Sequence, residues 1–305
     1  MGQKINSKLF RLGYKKNQWD THSYESSILK LSHHFFQEIE IKKYLNRIFN
    51  FYKIIIQKYK FFNTGDTIII VLNYYISVEC LKFIKNLMKK KEIALKSEEN
   101  YSKKNKRKRL WILKYLKKKF FINSNLFNVN FFDIIILTLK TFIPNARKFN
   151  CILQNVNKGF SVSIKTVSDE EKSFKRLILQ LRKYNRSFFY KEFVNALTIL
   201  NKFHNSSKLL AVLISKLFEK IKRHNFFLNF LKRFLILIVY SSVSKIKGIK
   251  ILIKGRFNRR PRSKQRLVQI GKVALQTLDS NISYSCSTAF SIFGTFGIKV
   301  WVLEK

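Results

Sequence analysis

Apolar and polar positions follow a helical period over much of the first part of the chain. Between residues 28 and 56 the apolar residues recur at helical spacing, which predicts one or two amphipathic helices. A turn signal at 63–66 precedes a β-branched run from Thr67 to Tyr75 that predicts a strand. Helical spacing then resumes at Val78.

The middle of the chain contains a further strand and two further helical stretches. Phe160, Val162 and Ile164 alternate with polar residues, which predicts a half-buried strand. Helical spacing then runs over 174–200 and again over 207–240.

The last sixty residues change to a two-residue period. Five of the nine glycines lie there and separate alternating runs around 249–253, 267–273, 282–290 and 298–302. These runs predict a four-stranded, mostly antiparallel sheet with the preceding helices on its apolar face. Cys286 shares the phase of the apolar residues in its run, so we expect it to be buried.

The charge of the chain indicates what kind of partner it binds. The 305 residues carry 61 Lys and Arg against 17 Asp and Glu, a net charge of +44. Such self-repulsion weakens a compact state unless a polyanion neutralises it. The chain contains 46% hydrophobic and 15% aromatic residues, a composition that argues against a disordered basic tail. Lys, Phe, Ile, Asn and Tyr, all with A- and T-rich codons, are abundant, which is typical of an organelle genome and also of some AT-rich bacteria and parasites.

Other signals bear on compartment and chemistry. The three cysteines are distant from one another and form no CxxC pair, which favours a reducing compartment over a disulfide framework. The longest apolar windows are too short to span a bilayer, so we expect no membrane association. No transit segment precedes them, so we expect the protein to be synthesised inside the organelle. We expect no cofactor and no metal site.

The acidic cluster Asp169, Glu170 and Glu171 is the best candidate for catalysis. Ser168 and Glu171 have the spacing of a capping box, and acids suit a helix N-terminus, so we interpret the cluster as a helix cap and expect no catalytic residue.

The basic charge is concentrated in a few segments. Residues 245–272 hold eleven basic residues and no acid, and Arg clusters after Gly255. Planar guanidinium groups bind phosphate oxygens bidentately, which favours an RNA-binding loop. The candidate contacts are Lys254, Arg256, Arg259, Arg260, Arg262, Arg266 and Lys272. Residues 103–119 carry ten basic residues and no acid, and are either a solvated insertion or a second RNA contact.

Several motifs in order resemble the universal small-subunit ribosomal protein S-three family. The resembling segments are 1–4, 10–13, 19–20, 41–45, 247–256, 271–278, 282–284 and 294–302. The resemblance implies an α+β protein with a degenerate type II KH-like domain, followed by a C-terminal α/β domain with the four-stranded sheet. We expect an N-terminal arm and helices at 1–60 and the sheet domain at 245–305. Between them, residues 61–244 would form the KH-like region, with a basic insertion at about 96–155 and the helices that follow it.

The same resemblance implies a structural, non-enzymatic role in the head of the small ribosomal subunit. Its partners would be ribosomal RNA, neighbouring head proteins, and mRNA at the entrance channel. Gln3, Lys4 and Arg11 would bind ribosomal RNA through the arm. Lys232 and Arg233 resemble the family's basic pair at the mRNA entrance, and Lys222 and Arg223 join them as basic residues near the same helix. The third basic position of the family falls on Leu235, or is displaced by a one-residue gap.

A KH domain grips nucleotide backbone with a GxxG loop between two helices. No Gly occurs between the Thr67 strand and the Val78 helix, so we expect that this binding is lost. The lost loop, the codon bias and the long insertion indicate a mitochondrial form, in the matrix and bound to ribosomes. The alternative is an organelle-encoded RNA-processing protein, either an intron maturase or a nuclease, although no LAGLIDADG-type helix or YADD strand is present. A basic protein of a membrane surface is a third possibility.

Overall fold

The computed structural model of the chain forms two compact units. It describes residues 6–14, 19–24, 28–64, 67–83, 86, 135–140, 148–157, 179–202, 207–240, 245–258 and 264–304. One unit is Thr21–Phe160, and the other, here called the C-terminal unit, joins Met1–Asp20 to Ser161–Lys305. Residue 60 lies inside a strand, and the domain boundaries expected at 60 and 244 remain predictions. The strand expected at 160–164 and the acidic cap at 168–171 lie outside the described residues.

The Thr21–Phe160 unit is built on a mixed four-stranded sheet. Its elements are β1 (Thr21–Ser23), α1 (Ile28–Phe51), β2 (Ile54–Asn63), β3 (Thr67–Ile76), helical residues 78–83 and 135–140, and β4 (Lys148–Asn155). The strand order is β1-β2-β3-β4. The β2–β3 pair is an antiparallel hairpin, whereas β1–β2 and β3–β4 are parallel. The strand expected from Thr67 is therefore confirmed, whereas residues 65 and 66 of the expected turn lie outside the described residues.

Helix α1 ends five residues earlier than the apolar spacing predicts. Ile54, Ile55 and Ile56 begin β2 instead of continuing the helix. The chain reverses at Lys53, which has a left-handed φ of 59°. Ser77 fixes this turn, because its Oγ donates a hydrogen bond to the Lys53 carbonyl at 2.6 Å. A left-handed residue that is not Gly leaves no sequence signal, so the boundary was not visible in the pattern.

The segment expected as an insertion at about 96–155 is partly an ordinary element of this unit. Ile135 and Leu139 are buried in the same core as Ile41 and Leu45 of α1. Strand β4 pairs with β3 over its whole length. An inserted segment must therefore end before Ile135, and the basic residues 103–119 lie outside the described residues.

The helix–strand–strand–helix–helix–strand order agrees with the expected type II KH-like domain. Residues 73–76, at the expected position of the GxxG motif, are not a loop but the end of β3. The sequence from 66 to 158 contains no Gly, so it holds no GxxG motif at any other position between β3 and the end of β4.

The C-terminal unit packs helices on one antiparallel sheet. Its elements are a 3₁₀ turn at Leu9–Arg11, another at Arg182–Tyr184, α2 (Tyr190–Lys202), α3 (Ser207–Lys220), α4 (His224–Tyr240), β5 (Ile246–Gly255), β6 (Lys264–Gly271), β7 (Ile282–Ser291) and β8 (Gly294–Glu304). The strand order is β6-β5-β8-β7, and every neighbouring pair is antiparallel. The α+β class and the four-stranded C-terminal sheet are confirmed. The stretch 207–240 is two helices, broken at 221–223.

Phenylalanine side chains form much of the core of this unit. Phe193 of α2 lies edge-on to Phe230 and Phe234 of α4, with ring centroids 5.3 and 4.8 Å apart. Phe218 of α3 continues the cluster to Phe296 of β8 at 5.3 Å. Edge-to-face ring pairs add to the free energy of burial, so these contacts fix α4 against α2 and the sheet against α3.

Strand β7 has the opposite phase to the expected one. Cys286 is exposed, and the expectation that it is buried is wrong. The serines of the strand alternate with the larger residues and occupy the inner positions, because α3 packs closely on β7. Ser287 Oγ donates a hydrogen bond to the Ala211 carbonyl of α3 at 2.8 Å. A small, hydrogen-bonded residue thus takes the place where size alone would put a larger one.

Candidate nucleic-acid interface

Two basic pairs lie at the start of α4 and on its exposed side. Lys222 and Arg223 lie directly before the helix, and Lys232 and Arg233 lie about 12 Å along its axis from His224. All four side chains are exposed, because Phe227, Phe230 and their neighbours turn the opposite side of the helix into the core. The guanidinium carbon of Arg233 lies 5.8 Å from the ring centroid of Tyr184, a distance suited to a cation–π contact.

These four side chains have no acidic partner in the described part of the chain. The described ion pairs join Lys8 to Asp20 and Lys43 to Glu40, both elsewhere. Leu235, where a third basic residue is expected, is fully buried. The next exposed position is Ile236. The basic surface of α4 therefore ends at Arg233.

The start of the Arg-rich loop is fixed to the start of α4. Phe257 is buried against Phe296, with ring centroids 5.3 Å apart. Asn258 follows with a left-handed φ of 48°. Its Oδ1 lies 3.0 Å from Nδ1 of His224 and accepts a hydrogen bond from the His224 backbone N–H at 3.2 Å. Burial lowers the pKa of His224, against the opposing effect of the Asn258 hydrogen bond, so the imidazole is held neutral.

The candidate basic residues of the hairpin do not share one face. Lys254 pairs with Gln265, whereas Arg266 pairs with Ile253, so the two cations project from opposite sides of the sheet. Both side chains are exposed, as is Lys272 beyond the end of β6. Arg256 is half-buried beside the strand end. Arg259, Arg260 and Arg262 lie outside the described residues.

Arg11 does not belong to a nucleic-acid surface. Its guanidinium is 1% exposed and donates hydrogen bonds to three backbone carbonyls, those of Ser7, Leu275 and Thr277, at 2.9, 2.8 and 2.6 Å. The side chain therefore anchors the N-terminal arm to the segment after β6 and cannot meet a phosphate. Gln3 and Lys4 lie outside the described residues.

Sequence reasoning did not identify the contact between His224 and Asn258. Neither residue belongs to a charged cluster, and they are 34 positions apart, so no local pattern marks them. Within the described ranges no group of three or more His, Cys, Asp or Glu side chains comes together, and no helix is long and apolar enough to cross a membrane.

In the described part of the chain, an α+β fold carries an exposed cationic surface with no acidic partner, which is typical of the class of basic proteins that bind nucleic acid. Comparison with known proteins identifies a family within this class. Residues 222–302 match the family described as Ribosomal protein S3, C-terminal domain. The whole cationic surface of α4 lies within that match.

Relatives extend the match beyond this domain. The chain is 31% identical over 160 residues to small ribosomal subunit protein uS3c of Emiliania huxleyi, covering 52% of this chain and 70% of that protein. It is 39% identical over 108 residues to uS3c of Tupiella akineta, covering 35% and 45%, and 41% identical over 61 residues to uS3 of Microcystis aeruginosa, covering 20% and 25%. The chain belongs to the ribosomal protein S3 family, and the expected resemblance is confirmed.

Proposed function

We propose that this chain is a non-catalytic, structural protein of an organelle small ribosomal subunit that binds ribosomal RNA. The observation that supports the proposal is the cationic surface of α4 and the β5–β6 hairpin, whose exposed basic side chains have no described acid beside them. When such cations neutralise phosphates, they displace the counter-ions that are condensed on the RNA. The release of these counter-ions provides the affinity for RNA.

The proposed ribosomal RNA contacts are the exposed residues Lys254, Arg266 and Lys272, together with Gln3, Lys4, Arg256, Arg259, Arg260 and Arg262. Arg11 is not among them, because it is buried. The proposed partners also include neighbouring proteins of the subunit head. A protein that makes about ten phosphate contacts has a salt slope of roughly −7 to −9 in a plot of log affinity against log salt.

We further propose that Lys222, Arg223, Lys232 and Arg233 lie at the entrance of the mRNA channel. Four exposed cations, one pair directly before α4 and one pair on the helix, suit an extended strand that passes along α4. The buried Leu235 removes the third expected cation, so the surface offers electrostatic guidance over a shorter distance.

The proposed compartment is the mitochondrial matrix. The A- and T-rich codon bias and the missing GxxG loop support it. The relatives that share the name uS3c are chloroplast forms, so the experiment must separate the two organelles. Organelles are fractionated, and the ribosomal RNA that sediments with the chain is sequenced. Mitochondrial RNA is expected; chloroplast RNA would contradict the compartment but not the ribosomal role.

The RNA contact is tested with the full-length chain and a transcript of the head domain of small-subunit RNA. Affinity is measured over a series of salt concentrations for the wild type and for an Arg266→Gln/Lys272→Gln double variant, which removes two exposed cations of the proposed ribosomal RNA contacts. Loss of two phosphate contacts should make the salt slope shallower by about 1.4 to 1.8.

A matched control carries the same charge change in the other unit. Lys42 and Arg47 are exposed on α1, and the double variant Lys42→Gln/Arg47→Gln removes one Lys and one Arg there. Its slope should stay close to the wild type. Equal effects of both double variants would mean that binding follows total charge, and the proposed surface would be rejected.

A further inference from the structure

The sheet of the C-terminal unit has a second, outer face on the side opposite α3 and α4. Cross-strand pairing arranges its side chains in rows across β6, β5, β8 and β7. The first row is Gln269, Lys250, Trp301 and Tyr284; the second is Leu267, Leu252, Lys299 and Cys286; the third is Gln265, Lys254, Gly297 and Thr288. The inner face carries the buried residues Ile251, Val300 and Ile298. We call the three rows the outer face.

An aromatic pair with a cation above it occupies the first row. The rings of Tyr284 and Trp301 have centroids 5.4 Å apart and planes inclined by 38°. Lys250 Nζ lies 5.8 Å from the centroid of Trp301. Both rings are partly exposed, in a unit whose Phe side chains are largely packed into the core. Aromatic rings on an open sheet, beside cations, are the arrangement on which single-stranded bases stack.

The charge of the outer face has one sign. Lys250, Lys254 and Lys299 are distributed over its three rows, and none of its described positions is Asp or Glu. Lys254 and Lys299 are exposed and have no acidic partner among the described residues. A face with three cations and no anion is complementary to a phosphate backbone. It is a poor match for an apolar protein surface that carries no acidic residues.

Gly297 is the observation that points to close approach by a ligand. It lies inside β8, where Gly weakens a strand, and a Cβ built on it meets no described atom within 4 Å. The neighbouring strand glycines have internal reasons: a Cβ on Gly248 would lie 2.3 Å from the Lys272 carbonyl oxygen, and one on Gly255 would lie 2.3 Å from Phe296. Among the described residues no contact requires Gly297 to lack a side chain, so the bare backbone there is open to a partner from outside.

We propose that the outer face binds a single-stranded RNA segment, with bases stacked on Trp301 and Tyr284 and phosphates near Lys250, Lys254 and Lys299. The bare backbone at Gly297 lets one nucleotide lie flat against β8. This site goes beyond the proposed function, because it reads exposed bases and lies on the opposite side of the sheet from α4. A duplex does not fit it, because its base faces are stacked inside the helix and cannot reach the rings.

The experiment follows Trp301 directly in the full-length chain. Trp19 and Trp111 are changed to Phe, which leaves Trp301 as the only tryptophan. Its fluorescence is titrated with a single-stranded RNA oligonucleotide and with a duplex of equal phosphate number. We expect quenching by the single strand and none by the duplex. Unchanged fluorescence at saturating single strand, or equal quenching by the duplex, would overturn the proposal.

Two substitutions separate this site from the basic surface of α4. Trp301→Leu should lower single-strand affinity about 5- to 150-fold at every salt concentration, because stacking is lost and no phosphate contact is. Its salt slope should match the wild type, whereas Lys232→Gln/Arg233→Gln changes the slope. A changed slope without a lowered affinity in Trp301→Leu would count against the stacking site and leave the function proposed above intact.

Gly297→Val keeps the proposal testable without weakening the fold. A β-branched residue favours a strand and has open space here, so the melting temperature should stay the same or rise. Single-strand quenching of Trp301 should nevertheless fall, because the valine prevents close approach. Thr288→Val, on the same row but without added bulk, is the matched control. Equal quenching in Gly297→Val and wild type would sink the close-approach argument.

The occupant in the assembled subunit is identified through Cys286, which lies in the second row. Cys286 is exposed and Cys80 is buried, while burial raises the pKa of Cys151 to about 11 and lowers its reactivity. A photo-crosslinker attached to Cys286 should join to RNA. Crosslinks to a protein would show that the outer face is a protein interface, and the proposal would be wrong.

Discussion

Nδ1 of His224 lies 3.0 Å from Oδ1 of Asn258, so the first residue of α4 and the first turn of the Arg-rich loop are held together. The imidazole lies between the rings of Phe218, Phe257, Phe293 and Phe296, with no charged group among these neighbours. Both segments that carry the proposed RNA contacts therefore depend on one neutral histidine.

The first prediction follows from this neutrality. Burial lowers the folded-state pKa of His224, whereas the unfolded chain binds a proton near pH 6.5. The stability that His224 contributes is thus complete above about pH 6.5 and is lost as the pH falls through that value towards the lower folded pKa. Thermal unfolding at pH 7 and pH 5 should show a fall in Tm that is smaller in His224→Gln.

His33 provides the control for this comparison, because it is exposed on α1. His33→Gln should keep the wild-type dependence of Tm on pH. If His224→Gln and wild type lost the same number of degrees between the two pH values, the buried histidine would not be the group that titrates.

The second prediction concerns Arg11. Arg11→Ala leaves the carbonyls of Leu275 and Thr277 without their donor, which should cost about 2–4 kcal/mol of unfolding free energy. Lys8→Ala removes an exposed ion pair to Asp20 and should cost about 1 kcal/mol or less. Denaturant unfolding measures both. The salt slope of RNA binding should be unchanged in Arg11→Ala, and a shallower slope would return Arg11 to the RNA surface.

The third prediction compares two adjacent positions on α4. Leu235 is fully buried, so Leu235→Arg should cost more than about 3 kcal/mol or prevent folding. Ile236 is 44% exposed, so Ile236→Arg should change stability by no more than about 0.5 kcal/mol. The second variant extends the basic surface beyond Arg233 and should steepen the salt slope by about 1. Stable, well-folded Leu235→Arg protein would contradict the observed orientation of the helix.

The fourth prediction tests the phase of β7. Ser287→Leu should cost about 1–3 kcal/mol, because its larger side chain is forced against α3 and the hydrogen bond to Ala211 is lost. Thr288 points to the outer face, so Thr288→Leu should leave the free energy of unfolding nearly unchanged. Urea unfolding of the pair is sufficient. The reverse order of costs would restore the buried position that the apolar pattern assigned to Cys286.

The parts of the fold that the sequence predicts are those in which side-chain size and polarity agree with burial. Strands β5 and β8 alternate Ile and Val with Lys, and their inner faces are as expected. The prediction fails in β7, where helix packing selects serine over larger residues. It fails at Lys53 because a left-handed turn without Gly has no composition signal.

The candidate site divides along the same line. Charge density correctly indicated exposed positions such as Lys232 and Lys254. The family resemblance placed Arg11 on the RNA surface, but a guanidinium that donates to backbone carbonyls looks the same in sequence as one that meets phosphate. The Arg11 contact joins segments 264 residues apart, and no window along the chain can show it.

The same contact sets an order of events during synthesis. Arg11 leaves the ribosome 264 residues before Leu275, an interval of roughly 13–53 s at 5–20 residues per second. Closing a loop of this length costs about 3 kcal/mol more than closing one of ten residues. The segment around Arg11 can therefore dock only after β6 and Leu275 have emerged, so its docking follows the synthesis of all the chain between them.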